Sequence, residues 1–210
     1  MCRISTYLFD LDGVLIDSEG IYTDFWSAID RRFPTGVPDF AHVIKGSTLP
    51  EILGRYFPQP QVQEQIRREL IQQEENMKYR PFPGAVELLR RLRAAGIRSA
   101  IVTSSNRRKM GNLFAQLPEL ESLVDTIVTD EDVTHSKPDP EGYLKGARRL
   151  QAAPGTYAVV EDSLAGLRAG RAAGAYVIGL TTTNAAEAVG PLADITLHTV
   201  ADISAAMLHD

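Results

Sequence analysis

Short apolar runs alternate with longer amphipathic stretches along most of this chain. Ile4 to Phe9 is β-branched and aromatic, shows no helical stripe, and stops abruptly at Asp10-Leu11-Asp12-Gly13. That is the pattern of a buried strand in a parallel sheet. The unit recurs at Arg98 to Val102 before Thr103-Ser104-Ser105, and at Thr126 to Val128 before Thr129-Asp130-Glu131-Asp132. It recurs again at Tyr157 to Val160 before Glu161-Asp162-Ser163, and at Tyr176 to Leu180 before Thr181-Thr182-Thr183. Between these runs, Ala85 to Ala95 carries Val86, Leu89 and Leu92 on one helical face, with Gly96 placed to end the helix in the left-handed region. Asp139-Pro140 predicts a helix start running to about Leu150, and Ser163 a cap for a helix running to about Ala173. Strands alternating with helices predict an α/β fold with a parallel sheet and right-handed crossovers.

Residues 18–80 break this rhythm. Ile21, Phe25, Ile29 and Phe33 form a helical stripe, a Pro/Gly-rich turn follows, and then come His42 to Thr48 and a short helix from Pro50. A polar helix from about Gln61 to Lys78 completes the stretch. The pattern predicts a helical insert at 18–80 between two parts of one α/β core, 1–17 and 81–210. The chain enters it near Asp17 and leaves it near Arg80 to Gly84.

Composition narrows the setting. With 210 residues, 44% hydrophobic and 23% charged, the chain is long enough to bury a core without staples. A net charge of -5 argues against nucleic acid or an anionic membrane surface as partner. The one cysteine, Cys2, has no internal partner for a disulfide and reads as a terminal bystander in a reducing compartment. The apolar run near the N-terminus, about six residues, is too short for a signal peptide or a membrane span. A cytoplasmic monomer is expected.

The chemistry is expected where the strands end, because ligands of an open parallel sheet bind outside the carboxyl ends of its strands. The first strand delivers Asp10 and Asp12, the second Thr103 and Ser104, and the fourth Glu161 and Asp162, while Lys137 lies in the loop after the third. Four carboxylates at one edge repel unless something compensates them. A hard cation with oxygen ligands does so, and magnesium favours a few carboxylates together with substrate phosphate. Gly13 lets the chain bend after Asp12 and lets backbone approach a ligand.

The set Asp10-Leu11-Asp12-Gly13-Val14, Thr103-Ser104-Ser105, Lys137-Pro138-Asp139-Pro140 and Glu161-Asp162-Ser163-Leu164-Ala165-Gly166 resembles the haloacid dehalogenase superfamily. Within it, the chain looks like the β-phosphoglucomutase-like phosphatases, with a Rossmann-like core and a helical cap. The resemblance implies that Asp10 attacks phosphorus and forms an aspartyl-phosphate. Asp12 is then the general acid and base, its carboxyl expected to be raised by the crowded like charges. It further implies Mg2+ held by Asp10, Asp12 (through its backbone carbonyl) and Asp162, with Glu161 as a further ligand or an outer partner. Thr103, Ser104 and Lys137 correspond to phosphate-binding positions, and Asn106 and Arg107 follow within reach of the phosphate or the cap. Lys45 and Gly46 occupy the specificity segment of the cap, whose hinges fall at Gly13 to Asp17 and Tyr79 to Pro83.

The chain departs from the sugar-phosphate mutases of this group at two positions. Leu49 stands where they carry a phosphate-binding arginine, and Tyr22 where they carry a histidine. Loss of a bidentate phosphate ligand favours hydrolysis of a small phosphorylated metabolite over isomerisation. A phosphohexose mutase, a dehalogenase and a non-catalytic phosphate-binding module on the same fold are the alternatives.

Overall fold

The computed structural model describes residues 4–203, and Cys2 lies outside them. Six strands form one parallel sheet: β1 (Thr6–Phe9), β2 (Arg98–Val102), β3 (Thr126–Val128), β4 (Tyr157–Glu161), β5 (Tyr176–Leu180) and β6 (Ile195–Leu197). Their order is β3-β2-β1-β4-β5-β6. The sequence reverses direction across β1, which pairs with β2 through Thr6↔Arg98 and with β4 through Thr6↔Tyr157. A ligand crevice is expected beyond the end of that strand.

Side chains leave β1 alternately to two cores, as a pleated strand requires. Tyr7 and Phe9 join Leu88, Leu89 and Leu92 of α5 (Ala85–Ala94), with Met110 and Leu113 of α6 (Arg107–Gln116). Leu8 joins Val102, Val159 and Ala169 of α9 (Leu164–Ala172), with Tyr143 and Ala147 of α8 (Glu141–Arg149). Helices therefore cover both faces of the sheet. That burial on both sides explains why the strands read as continuous apolar runs rather than alternating ones.

Between β1 and α5 the chain forms α1 (Glu19–Arg32), α2 (Phe40–Val43), α3 (Leu49–Tyr56) and α4 (Pro60–Asn76). These helices have a core of their own around Trp26, Ile29, Phe40, Leu53, Phe57 and Ile66, with Trp26, Phe57 and Tyr56 meeting Phe40 edge to face. The stripe predicted on α1 is only partly the buried one. Ile29 is in the helical core, Ile21 packs toward the core of the sheet, and Trp26 supplies the largest inner ring. Lying between two cores, α1 buries two faces, which a single periodic stripe does not describe. The two chain crossings run side by side: the Asp17 amide donates to the Arg80 carbonyl at 2.9 Å, and the Phe82 amide to the Leu15 carbonyl at 2.9 Å.

Glycines end helices where the pattern placed them, with Gly96 at φ 69° and Gly174 at φ 72°. The short edge strand β6 and helix α7 (Pro118–Leu123) were not marked by the pattern, since β6 is three residues long and only half-buried. Among the described residues, no helix is long and apolar enough to cross a membrane.

Candidate active site

The end of β1 brings Asp10 into a buried cluster. Lys137, 8% exposed, places its Nζ 2.5 Å from Asp10 Oδ1, 2.6 Å from Glu161 Oε1 and 3.2 Å from the Val102 carbonyl oxygen. A buried ammonium needs such partners, because a lone charge in an apolar interior is costly. Burial opposes the charge on Lys137, but Asp10 and Glu161 outweigh it and raise its pKa. Burial likewise pushes Asp10 up, to about 7; the Glu161 and Asp12 charges add to this and Lys137 opposes it.

Glu161 is the most heavily bonded carboxylate of the cluster. Its Oε1 accepts from Lys137 and from the Tyr143 hydroxyl at 2.9 Å. Its Oε2 accepts from the Asp162 amide at 2.8 Å, the Ser163 amide at 2.8 Å and the Ser163 hydroxyl at 3.0 Å. Ser163 in turn caps α9, its Oγ accepting from the Gly166 amide at 3.0 Å, as the sequence predicts. The helix start, the strand end and Lys137 are thus tied together through one side chain.

Asp10, Glu161 and Asp162 each offer a carboxylate oxygen, all within 4.8 Å of one another. Oxygen donors so grouped suit a hard divalent cation. The backbone of Gly13 passes close beside them: at φ 79°, a Cβ there would lie 2.0 Å from Asp162 Oδ2. The requirement for glycine is therefore both conformational and steric.

Asp12 has a different environment from its neighbour. Its Oδ1 accepts from the Ser18 hydroxyl. Its Oδ2 accepts from the Ser105 hydroxyl at 3.1 Å and from Lys109 Nζ at 2.5 Å. Burial works to raise its carboxyl, but Lys109, by charge and hydrogen bond, with Ser18 and Ser105, holds it below the ordinary carboxylate range. The expectation that crowded like charges raise Asp12 is corrected here. The crowding acts on Asp10, while a cation on α6 faces Asp12.

A cavity of about 140 Å³ opens onto these groups. The sheet contributes Asp10, Asp12, Thr103, Ser104, Asn106 and Asp162 to its walls, and the helical segment contributes Lys45, Gly46, Leu49 and Tyr22. Thr103 is buried, and its hydroxyl accepts from the Ser105 amide at 3.0 Å. The Ser104 hydroxyl donates to the Gly46 carbonyl at 2.9 Å, joining the second strand end to the helical segment. Asn106 caps α6 by accepting from the Lys109 amide at 2.9 Å. Arg107 turns outward to Asp132 at 3.2 Å, away from the cavity lining.

The residues missed from the sequence are Ser18, Ser105, Tyr143, Glu74 and, above all, Arg108 and Lys109. Arg107-Arg108-Lys109 resembles a solvated charge run, yet Lys109 is 3% exposed. One signal was available: Lys109 adjoins Met110 and precedes Leu113 at helical spacing, which puts it on the inward face of its helix.

The family model for haloacid dehalogenase-like hydrolases matches residues 7–180, and the chain belongs to that family. Among its relatives is hexitol phosphatase A of Escherichia coli strain K12, 34% identical over 209 residues, which span 96% of this chain and 94% of that protein. Validoxylamine A 7'-phosphate phosphatase of Streptomyces hygroscopicus subsp. limoneus is 33% identical, with 93% of this chain and 94% of that protein covered. A crystal structure of a hydrolase of this family from Deinococcus radiodurans R1, with bound phosphate and sodium, superposes with a TM-score of 0.75 at 28% identity, covering 99% and 96%. A structure described as a β-phosphoglucomutase, from Bacteroides vulgatus, is 26% identical and superposes with a TM-score of 0.80, covering 95% of this chain and 86% of that one, in line with the branch the motifs resemble.

Proposed function

We propose that the protein is a magnesium-dependent phosphatase that hydrolyses a small phosphate monoester, a sugar or polyol phosphate, through an aspartyl-phosphate on Asp10. The observation that carries this reading is the buried arrangement of Asp10 with Lys137 on one side and Glu161 and Asp162 on the other. The two phosphatase relatives, alike over nearly the whole chain, support the reaction class.

A carboxylate oxygen of Asp10 forms the bond to phosphorus as the bond to the alcohol oxygen breaks. The departing oxygen takes its proton from the carboxyl of Asp12. Water, losing a proton to Asp12, then attacks the aspartyl-phosphate, releasing inorganic phosphate and the free carboxylate. Lys109, Ser18 and Ser105, which hold the Asp12 carboxyl below the ordinary range, favour the proton acceptor needed for that second half. Lys137 offsets charge on the transferring oxygens, and Thr103 and the Ser104 amide hold them. Asp10, Asp162 and the Asp12 main-chain carbonyl would hold Mg2+, which would supply further neutralisation of that charge. Glu161, its oxygens already engaged by five donors, serves as an outer partner that orients Lys137 and the start of α9.

We read the helical segment at 18–80 as a cap that excludes water and selects the alcohol, with Lys45 and Gly46 in its specificity loop. Leu49 and Tyr22 line the cavity where a mutase would need to hold a second phosphate, and Leu49 offers no hydrogen-bond donor there. This favours hydrolysis over isomerisation. The test is a panel of phosphate esters assayed with and without Mg2+, alongside Asp10→Asn. Turnover in wild type that vanishes with the substitution is expected. Full activity in Asp10→Asn, or conversion of β-glucose 1-phosphate to glucose 6-phosphate in place of phosphate release, would overturn the proposal.

A further inference from the structure

Lys109 reaches from the first turn of α6 to Asp12 and, at the same time, to the helical segment. Its Nζ lies 2.5 Å from Asp12 Oδ2 and 4.4 Å from the centre of the Tyr22 ring. Tyr22 is on α1, and its hydroxyl donates to Glu74 Oε1 at 3.3 Å. Glu74, on α4 and 4% exposed, also accepts from Arg108 Nη2 at 2.8 Å. Two successive cations of α6 are thus engaged from the other side by two helices of the segment. Asp12, Tyr22 and Glu74 are the charged or aromatic groups of this cluster that face the ammonium.

We infer that Lys109 is a positioning residue for Asp12, and that its hold depends on the helical segment being seated. The inference rests on the phosphatase reading above. An ammonium on a four-carbon stem has many rotamers, and one contact to a carboxylate does not fix it. The Tyr22 ring supplies the second contact, and a desolvated cation over an aromatic face is a stronger one than at the surface. With the segment lifted, Lys109 loses the ring and Asp12 loses the fixed end of its bond. With the segment down, the carboxylate is held at three points, by Ser18, Ser105 and Lys109. Lys109 acts on the reacting alcohol through Asp12, so the readout is the departure of the alcohol.

The experiment compares kcat/KM for p-nitrophenyl phosphate, whose leaving group needs little proton donation, with that for the alkyl esters sorbitol 6-phosphate and glycerol 1-phosphate. Wild type, Lys109→Met and Tyr22→Leu are measured with Mg2+, and thermal unfolding checks each variant. General-acid assistance is worth about a hundredfold or more. Lys109→Met also takes a cation from beside Asp12, which eases its protonation, but the lost aim of the carboxyl is the larger effect, and the alkyl esters should lose about tenfold more than the aryl ester. Tyr22→Leu, which leaves Asp12 and Lys109 in place, should show the same asymmetry to a smaller degree. It keeps the question open to refutation if Lys109→Met does not fold. Equal losses on both ester types in Lys109→Met, or no asymmetry in Tyr22→Leu, overturns the inference. A wild-type protein inert toward all three esters instead overturns the phosphatase reading itself.

Discussion

Replacing Lys137 by methionine would leave Asp10 and Glu161 facing each other in a buried site without the ammonium that now bonds to both. Removing one member of a buried charge cluster costs about 3–5 kcal/mol. Lys137→Met is therefore expected to lower the urea midpoint by a corresponding amount and to abolish turnover. Asp132 gives a separate electrostatic prediction away from the cavity. Burial works to raise its carboxyl, but the Thr129 amide and Arg149 outweigh it and lower the pKa from 3.8 to about 2. A carboxyl depressed in the folded state stabilises above its unfolded pKa and loses that contribution as pH falls through the folded value. Asp132→Asn should thus be less stable than wild type at pH 7. The gap, followed as denaturant midpoints, should close between about pH 4 and pH 2. A gap that persists at pH 2 would show that packing, not charge, is at stake.

The elements were legible in proportion to how local their signals are. Strand ends followed by Asp10-Leu11-Asp12, Thr103-Ser104 and Glu161-Asp162 mark the site from chain order alone, because a parallel sheet gathers those ends at one edge. The Ser163 cap and the helix-ending glycines were equally readable, since each acts within a few residues. Lys109 was not, because its meaning lies in contacts to Asp12 and Tyr22, far away in sequence. Glu74 was hidden in the same way, inside a helix whose composition looks solvated throughout. One element-scale constraint is sharper than any motif. A Cβ on Gly166 would lie 1.6 Å from Glu161 Oε1, so α9 can sit this close to β4 only with glycine in its first turn. Gly166→Ala is expected to cost about 3 kcal/mol by overpacking. It should also impair turnover by displacing Glu161, measured as the urea midpoint and the phosphate-release rate of one preparation.

For the molecule as a whole, cation binding and folding should be linked. A ligand that binds only the folded state at a hundred times its Kd adds about 2.7 kcal/mol. Mg2+ should accordingly raise the melting temperature of the wild-type protein. Asp162→Asn should lose most of that rise, while an exposed change such as Lys145→Gln should keep it. A shift of equal size in Asp162→Asn would place the cation elsewhere. The helical segment touches the sheet core at several separated points, among them Ser104 with Gly46, Ser136 with Glu51, and Arg108 with Glu74.

The central place of β1 also bears on how the molecule is made. Its partners, beginning at Arg98 and Tyr157, emerge from the ribosome long after it does. Contacts so distant along the chain are slow to form, because the loop entropy must be met before the pairing rewards it. The strand that carries Asp10 is therefore made well before either of its partners, and the catalytic edge can form only once β4 has followed it.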